Sequence, residues 1–337
     1  MTLAPGDMRI VEDATRPADR PGFARVAVSI VGLCGSDYHL FSGHHPYATF
    51  PQTQGHEFSG RVIELPDGYS GPAHLGDLVA VEPLVPCGTC YACRHGRYNA
   101  CASLQVMGAH ISGALADEVV VRADALHPVG DLDPELAALV EPVSIGLQAV
   151  RRARVTAGDH VVILGAGPIG LAATLAASDA GAHVLVADRI PSRLDKAREM
   201  GAEATVDTSL EDLRERVHEF TAGDGAGVVI DATGVPELIR LAFDLVAYAG
   251  SIGIVGISDR EVAIPVIEFS RKEISVFGSR NNTGLFPEAI DLVRRHPEQL
   301  RSWVTNRLPL EEVPQMIEYA MSHPESVEKM LVRMREE

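Results

Sequence analysis

Residues 160–170 read His-Val-Val-Ile-Leu-Gly-Ala-Gly-Pro-Ile-Gly, an apolar, β-branched run that leads directly into three spaced glycines. An alanine-rich stretch with the composition of a helix follows. In a strand–turn–helix unit of this kind, the first glycine makes the turn, the second lets backbone approach a pyrophosphate, and the third lets helix and strand pack closely. The free amides of the helix N-terminus then face the phosphates. The stretch predicts a dinucleotide-binding site on a parallel α/β sheet.

The next strand-like run ends at Asp188, 18 residues after Gly170. A carboxylate there can accept hydrogen bonds from the ribose hydroxyls of the adenosine and repel a 2′-phosphate, which favours NAD. Arg189 and Arg193 leave NADP open, because an arginine beside the ribose can bind a phosphate. The alternative is a structural glycine turn with a surface aspartate. The predicted cofactor-binding residues are Gly165, Gly167, Pro168, Ile169, Gly170, Asp188, Arg193, Thr233, Val255, Gly256 and Ser279.

Strand-like and helix-like runs alternate from about residue 144 to 277, as expected for a doubly wound parallel sheet with helices on both faces. The uncharged run 161–178 has the length of a membrane span, but its glycines, its proline and its change of composition favour strand, turn and helix. Residues up to about 142 are rich in Gly, Pro, His and short β-like runs, which indicates a mostly β domain. The segment from about 280 is too short to fold alone and is expected to complete that first domain.

The length of 337 residues agrees with two domains. Acidic residues outnumber basic ones by 46 to 29, for a net charge of −17. Such a chain is a poor candidate for binding nucleic acid or anionic membranes, since affinity there comes from lysine and arginine. The N-terminus lacks the apolar core of a secretory signal, so we expect a cytoplasmic protein with reduced thiols.

Four of the five cysteines, Cys87, Cys90, Cys93 and Cys101, lie within fifteen residues. Four thiolates in one short loop match a closed, tetrahedral structural zinc site. An iron–sulfur cluster could use the same ligands. A nucleic-acid-binding zinc ribbon also has four cysteines, but the acidity of the chain argues against it. We interpret the segment as a zinc lobe that serves folding rather than catalysis.

The fifth cysteine stands in residues 32–39, Gly-Leu-Cys-Gly-Ser-Asp-Tyr-His, and is followed by Gly55-His56-Glu57 and by Val140-Glu141-Pro142. Together with the cysteine lobe and the glycine motif, this order resembles the zinc-containing medium-chain dehydrogenase/reductase family over essentially the whole chain. Residues 140–153 and 277–290 look most like its polyol, sugar and aldonate dehydrogenase branch, including L-galactonate-type oxidoreductases.

The resemblance implies a Rossmann domain at 143–277 and a GroES-like catalytic domain formed by 1–142 with 278–337. It implies that Cys34, His56 and Glu57 hold a catalytic zinc, with Glu141 against the metal directly or through water. Neighbouring residues of a regular strand point to opposite faces, so His56 and Glu57 can share an ion only if the chain bends after Gly55. Asp37 is expected to orient His56, since metal-bound imidazoles usually have such a partner.

In the family, a hydroxyl and a histidine carry the substrate proton to solvent, and the matching positions here are Ser36 and His39. With Glu57 they are the predicted catalytic residues. By the same analogy His44, His45, Tyr47, Arg280 and Asn281 are expected near a polyhydroxylated substrate. A surface role for His39, and a structural role for any of the substrate residues, are the plain alternatives.

The resulting hypothesis is a dehydrogenase with two zinc ions per chain, one catalytic and one structural, that transfers a hydride from a secondary alcohol to NAD. Alternatives are a zinc-dependent alcohol or threonine dehydrogenase, a zinc-free reductase of the quinone type, and a non-catalytic cofactor-binding protein. An apolar sheet edge near residues 250–278 and the family resemblance both favour a homodimer or homotetramer.

Overall fold

The computed structural model describes residues 1–12, 20–45, 48–323 and 325–334. The chain forms two compact units, Met1–Glu141 with Phe286–Glu337, and Pro142–Leu285. They are called the first and the second unit below.

The strands are β1 (Thr2–Ala4), β2 (Asp7–Met8), β3 (Phe23–Leu33), β4 (Glu57–Glu64), β5 (Leu78–Val81), β6 (Leu84–Val85), β7 (Gln105–Val106), β8 (Glu118–Arg122), β9 (Leu126–Pro128), β10 (His160–Leu164), β11 (His183–Asp188), β12 (Ala204–Asp207), β13 (Ala226–Asp231), β14 (Val246–Ile254), β15 (Ser275–Gly278), β16 (Val304–Pro309) and β17 (Lys329–Arg333). The α-helices are α1 (Gly35–Phe41), α2 (Tyr91–Arg94), α3 (Pro134–Ala138), α4 (Val140–Arg152), α5 (Pro168–Asp179), α6 (Pro191–Glu199), α7 (Leu213–Phe220), α8 (Pro236–Leu245), α9 (Ile267–Lys272), α10 (Phe286–Arg295), α11 (Pro297–Trp303) and α12 (Val313–Ser322).

The first unit is built on a mixed sheet in the order β16-β17-β3-β4-β5-β9, with β8 also paired to β3. All of its pairings are antiparallel except β16 with β17. The long strand β3 supplies Val26 and Val31 to a core that also contains Phe58 of β4 and Ile317 of α12. The C-terminal strand β17 pairs directly with β3, so the end of the chain completes the sheet that begins near its start.

The second unit contains a fully parallel sheet in the order β12-β11-β10-β13-β14-β15. Residues 161–164 of β10 are at most 1% exposed, because helices cover both faces of such a sheet. The strand order reverses between β10 and β13, and ligands of open α/β sheets bind at the carboxyl ends of the strands beside this point. The predicted fold class, a doubly wound parallel sheet with a separate, mostly β domain, is confirmed.

The uncharged run 161–178 forms most of β10, the glycine turn and most of α5. In the described part of the chain, no helix combines the length and the hydropathy required to cross a bilayer.

Candidate active site and metal centres

Three of the predicted metal ligands converge in the first unit. Cys34 follows β3 directly, His56 lies directly before β4, and Glu57 is the first residue of β4. One candidate ligand atom from each residue, the thiol sulfur, a ring nitrogen and a carboxylate oxygen, lies within 4.8 Å of the other two. Strand β3 carries the cysteine to the same end of the sheet at which its antiparallel neighbour β4 begins.

Two glycines make this arrangement possible. Gly55 has a φ of +95°, a left-handed conformation that turns the chain immediately before His56 and Glu57. His56 therefore precedes the regular strand, and the alternation of strand side chains does not separate it from Glu57. Gly32 on β3 pairs with Glu57, and a Cβ atom there would lie 2.3 Å from Glu57 Oε2. Glycine at position 32 leaves room for the carboxylate.

Asp37 connects the two ligand segments. It is 2% exposed, and its carboxylate accepts hydrogen bonds from the backbone N–H of Cys34 at 2.9 Å and of Gly55 at 3.3 Å. Its Oδ2 lies 3.9 Å from Nδ1 of His56. Burial raises the pKa of Asp37 despite the nearby imidazole. Burial would lower the pKa of His56, but the negative charges led by Asp37 outweigh it and raise that pKa well above its usual value.

The main-chain position of Asp37 is in turn held by Gln54, a residue that the sequence did not single out. The Gln54 side chain is fully buried and donates through Nε2 to the Asp37 carbonyl at 2.6 Å. Its Oε1 accepts from the hydroxyl of Thr2, also fully buried, at 2.7 Å. The first strand of the chain is thereby connected to the segment that carries the metal-ligand candidates. A glutamine directly before Gly-His-Glu was the available signal.

Lys329, at the start of β17, is a second residue that sequence reasoning missed. Its Nζ donates to Glu57 Oε2 at 2.6 Å and to the Leu33 carbonyl at 3.4 Å, and both side chains of the ion pair are at most 1% exposed. Burial would lower the pKa of Lys329, but the charge of Glu57 and further acidic neighbours raise it. One oxygen of Glu57 is thus fixed by an ammonium group, which orients the carboxylate at the ligand cluster.

Glu141 is the second residue of helix α4 and is 7% exposed. Burial raises its pKa to about 7, and the negative charge of Glu57 adds to this, whereas His56 and Lys329 act in the opposite direction. Glu141 therefore lies within electrostatic range of the cluster. Its carboxylate is not among the three atoms that meet within 4.8 Å.

The donor set fits a zinc ion. A thiolate, an imidazole and a carboxylate are three ligand types that Zn²⁺ takes, and three protein ligands with one open position define a catalytic site. Nδ1 of His56 is buried and has no hydrogen-bond partner among the residues that the structure describes. Buried polar atoms rarely lack a hydrogen-bond partner, so this unpaired ring nitrogen agrees with a metal-binding role for the imidazole.

The other predicted residues of the first unit lie on or after α1. Ser36 and His39 are three residues apart on this helix and share one of its faces, with His39 exposed. His44 is exposed, and its Nδ1 lies 2.9 Å from Oγ of Ser42. His45 is partly buried, and burial together with neighbouring histidines lowers its pKa. Tyr47 lies outside the described residues.

The four clustered cysteines form the second group of ligand atoms. The sulfurs of Cys90 and Cys93 are 3.5 Å apart, those of Cys87 and Cys93 are 4.0 Å apart, and all four meet within 4.8 Å. Four thiolates around a tetrahedral zinc, each at roughly 2.3 Å, lie about 3.8 Å from one another. Backbone N–H groups of Thr89 and Cys90 lower the pKa of Cys87 to about 5, so thiolate is already favoured there. The geometry fits a closed structural zinc site.

The predicted dinucleotide site is a cavity of about 480 Å³ at the carboxyl ends of β10, β11 and β13. It is lined by Leu164, Gly165, Gly167, Ala187, Asp188, Arg189, Arg193, Thr208, Leu213, Ala232, Thr233, Val235 and Leu238. Gly165 has a φ of +95°, and a Cβ atom on Gly170 would lie 1.9 Å from the Gly165 carbonyl oxygen, so the turn requires glycine at both positions. Pro168 and Ile169 open helix α5 directly after Gly167.

Asp188 closes β11 and organises this loop. Its Oδ2 accepts from the backbone N–H of Ala166 at 2.7 Å, and its Oδ1 accepts from the backbone N–H groups of Arg189 at 2.7 Å and of Ile190 at 3.0 Å. The carboxylate therefore holds the glycine loop next to the cavity and places a negative charge there.

Asp231, at the end of β13, organises the neighbouring loop and was not predicted. Its buried carboxylate accepts from Thr233 Oγ1 at 2.6 Å and from the N–H of Gly234 at 3.0 Å. Val255 and Gly256 follow β14, and both of their N–H groups donate to the Asp231 main-chain carbonyl. Ser279, Arg280 and Asn281 follow β15, the last strand of the sheet. An aspartate at the end of a buried apolar run was the signal for Asp231.

Two family models match the chain, "alcohol dehydrogenase GroES-like domain" over residues 20–131 and "zinc-binding dehydrogenase" over residues 168–295. The chain is 36% identical over 260 residues to an L-galactonate-5-dehydrogenase of Escherichia coli (strain K12), covering 77% of this chain and 76% of that protein. It is 35% identical over 312 residues to a sorbitol dehydrogenase of Halalkalibacterium halodurans, covering 88% of each.

Among solved structures, the crystal structure of an alcohol dehydrogenase (rspB) from E. coli CFT073 complexed with NADH superimposes with a TM-score of 0.91. The sequence identity is 31%, and the match covers 98% of this chain and 97% of that one. The fold and the two ligand clusters define a zinc-dependent dehydrogenase. The chain belongs to the zinc-type alcohol dehydrogenase family, and it is an oxidoreductase that acts on CH–OH groups. The predicted family is confirmed.

Proposed function

We propose that this enzyme oxidises a secondary alcohol group of a polyol, a sugar or a sugar acid and transfers the hydride to NAD. The observation that carries the proposal is the convergence of Cys34, His56 and Glu57 on one point in the first unit, in a chain whose second unit holds a dinucleotide cavity. Relatives named for L-galactonate and sorbitol support the polyhydroxylated substrate class.

The proposed metal content is two zinc ions per chain. Cys34, His56 and Glu57 would hold the catalytic ion, with Glu141 beside it, and the four clustered cysteines would hold the structural one. When bound, the catalytic zinc supplies a Lewis acid that favours loss of the substrate hydroxyl proton near neutral pH. Ser36 and His39, which share one face of α1, would carry that proton to solvent.

NAD is proposed over NADP because the Asp188 carboxylate repels a 2′-phosphate. Its position at the cavity wall supports this choice. Arg189 and Arg193 line the same cavity, so both cofactors belong in the assay. Of the predicted substrate residues, His44, Tyr47, Arg280 and Asn281 are kept as part of the proposal.

A cytoplasmic homodimer or homotetramer is also part of the proposal. Strand β15 lies at the edge of the parallel sheet with Val276 exposed, and Tyr248, Val266 and Ile267 add exposed apolar surface in the same unit. Exposed apolar sheet edges tend to be covered by a partner. A solution mass of one 36.0 kDa chain would refute this part.

The test combines metal analysis with an assay of NAD⁺ reduction on polyols, sugar acids, simple secondary alcohols and threonine. We expect two zinc ions per chain, the highest kcat/KM on a polyol or sugar acid, and a higher kcat/KM with NAD⁺ than with NADP⁺. Cys34→Ser should remove one zinc and abolish turnover, whereas an exposed control, Ser302→Ala, should change neither. Zinc confined to the cysteine lobe, or turnover restricted to simple alcohols or threonine, would refute the proposal.

A further inference from the structure

The ammonium group of Lys329 is enclosed by protein groups of the first unit, next to the candidate metal centre. Its Nζ donates to Oε2 of Glu57 at 2.6 Å and to the Leu33 carbonyl at 3.4 Å, and it lies 5.4 Å from the centre of the Trp303 ring. The side chains of the ion pair are at most 1% exposed, and Trp303 is 0% exposed. An ammonium group has three donors, and the face of an indole ring attracts a cation. These three partners fix the position of the lysine.

The register of three neighbouring strands brings the pair together. Strand β17 pairs with β3 through Met330 and Leu33, and β3 pairs with β4 through Gly32 and Glu57. Lys329 is the first residue of β17, so its side chain starts two strands away from that of Glu57. The ion pair is therefore part of the sheet of the first unit, and the backbone holds its two ends.

This ion pair leaves the two oxygens of Glu57 unequal. A carboxylate can bind a metal ion through one oxygen or through both. Oε2 accepts from Lys329 and packs against β3, where a Cβ atom on Gly32 would lie 2.3 Å from it. The positive charge of the ammonium group also repels a cation that approaches Oε2. Only the other oxygen, Oε1, is left for a metal ion.

The number of oxygens that Glu57 supplies decides whether the zinc has room for a substrate. With Cys34 and His56, a single oxygen completes three protein ligands and leaves the fourth position of a tetrahedral zinc open. A carboxylate that used both oxygens would fill this position itself. We propose that Lys329 is a positioning residue that restricts Glu57 to a single oxygen and thereby reserves the fourth position for the substrate alcohol. This inference rests on the proposed function.

The experiment compares Lys329→Met with the parent, both as full-length, zinc-loaded enzymes. The substitution frees Oε2 and removes a positive charge beside the metal, so zinc affinity at the Cys34 site should rise roughly 10-fold in chelator competition. KM for the best polyhydroxylated substrate should also rise roughly 10-fold, because Glu57 then competes with the alcohol for the fourth position. At saturating alcohol, kcat should change by less than about threefold. If Lys329 served only to orient a ligand, its loss would weaken zinc binding, so the sign of the change separates the two roles.

Lys272→Met is the matched control. Lys272 is also a buried lysine, but it donates to the backbone carbonyls of Phe243 and Val246 in the second unit. Both variants lose a buried ammonium group, so both should melt below the parent. Only Lys329→Met should change zinc affinity and the KM for the alcohol.

A second variant, Lys329→Gln, replaces Lys329→Met if the latter fails to fold. Glutamine keeps a donor for Glu57 but removes the charge, so zinc affinity and KM should rise by a smaller factor. Zinc affinity that stays equal or falls, an unchanged KM, or a loss confined to kcat would overturn the inference while the dehydrogenase function stands. If the parent holds no zinc at the Cys34 site, the proposed function fails, and this inference fails with it.

Discussion

At the scale of single residues, the candidate metal centre depends on buried polar groups that each connect two parts of the chain. Asp37 joins the Cys34 and Gly55 segments, Gln54 joins Thr2 to the Asp37 carbonyl, and Lys329 holds Glu57. Replacing uncharged or acidic residues that orient metal ligands in this way typically lowers metal affinity roughly 10- to 100-fold.

Gln54 offers a test at this scale. In Gln54→Leu the Thr2 hydroxyl and the Asp37 carbonyl lose their shared partner, so the ligand segment is held less firmly. We expect zinc affinity at the Cys34 site to fall roughly 10-fold and unfolding free energy to fall by about 1–3 kcal/mol. Chelator competition on the enzyme with both zinc ions bound measures the zinc affinity. The absorption of cobalt at the imidazole-containing site identifies the Cys34 site in that measurement.

Gln52→Leu is the matched control. Gln52 is also buried, but its Nε2 donates to the Ile111 carbonyl at 2.7 Å and to the Thr53 carbonyl at 3.2 Å, away from Asp37. It should lower stability by a similar amount and leave zinc affinity unchanged. Equal zinc affinity in the parent and in Gln54→Leu would show that the glutamine supports the fold alone.

At the scale of elements, the second unit contains a helix end that is capped from another helix. Lys272, the last residue of α9, donates through Nζ to the carbonyls of Phe243 at 2.7 Å and Val246 at 2.9 Å, and it lies 3.4 Å from that of Asp244. These carbonyls belong to the C-terminus of α8 and the start of β14, where helix carbonyls have no partner within the helix. One ammonium group therefore fixes the α8–β14 junction.

Lys272→Met should lower the unfolding free energy by about 1–3 kcal/mol, since it leaves buried carbonyls unpaired. Burial lowers the pKa of Lys272 from 10.5, so in the alkaline window below pH 10.5 the unfolded chain binds more protons at this site than the folded one. Parent stability should therefore rise relative to Lys272→Met as the pH increases toward 10.5. Denaturant unfolding of both proteins at several pH values provides the measurement.

The control for the comparison of the parent with Lys272→Met is Lys196→Met, which removes a partly exposed ion pair with Glu199. It should cost about 1 kcal/mol or less and should not show the same pH trend. A stability difference between the parent and Lys272→Met that shrinks as the pH rises would contradict the assigned cause.

At the scale of the whole molecule, we propose separate tasks for the two clusters of ligand atoms. The cysteine lobe buries only a small apolar group, Leu84, Cys101 and Leu104, with a few partly buried neighbours, apart from the main core of the first unit. So small a core contributes little, and a structural zinc bound there would supply folding energy directly.

We therefore expect Cys101→Ser to release one zinc, to lower Tm and to make residues 87–101 sensitive to protease. The zinc at Cys34 should remain bound. Cys34→Ser is the reciprocal variant, which should lose the other zinc and keep the lobe resistant to protease. Metal analysis, thermal melts and limited proteolysis of both variants show how much zinc each variant has lost and whether the lobe stays folded. A lobe that stays folded and resistant after losing its zinc would refute the structural assignment.

The sequence by itself determined the glycine turn, the acidic end of the next strand and the cysteine lobe. Each of these is encoded within about thirty residues, and the spacing alone specifies turn geometry or ligand arrangement. The catalytic cluster was inferred from the order of its motifs and from family resemblance, and its geometry required the left-handed turn at Gly55.

Tertiary structure alone decided the rest. Lys329 meets Glu57 across 272 residues of chain, and Thr2 meets Gln54 across 52. A lysine next to Glu328 at the start of the apolar run 330–332 looks like an ordinary strand end. Burial and hydrogen-bond pairing depend on which strands become neighbours, and that is settled only when the sheets assemble.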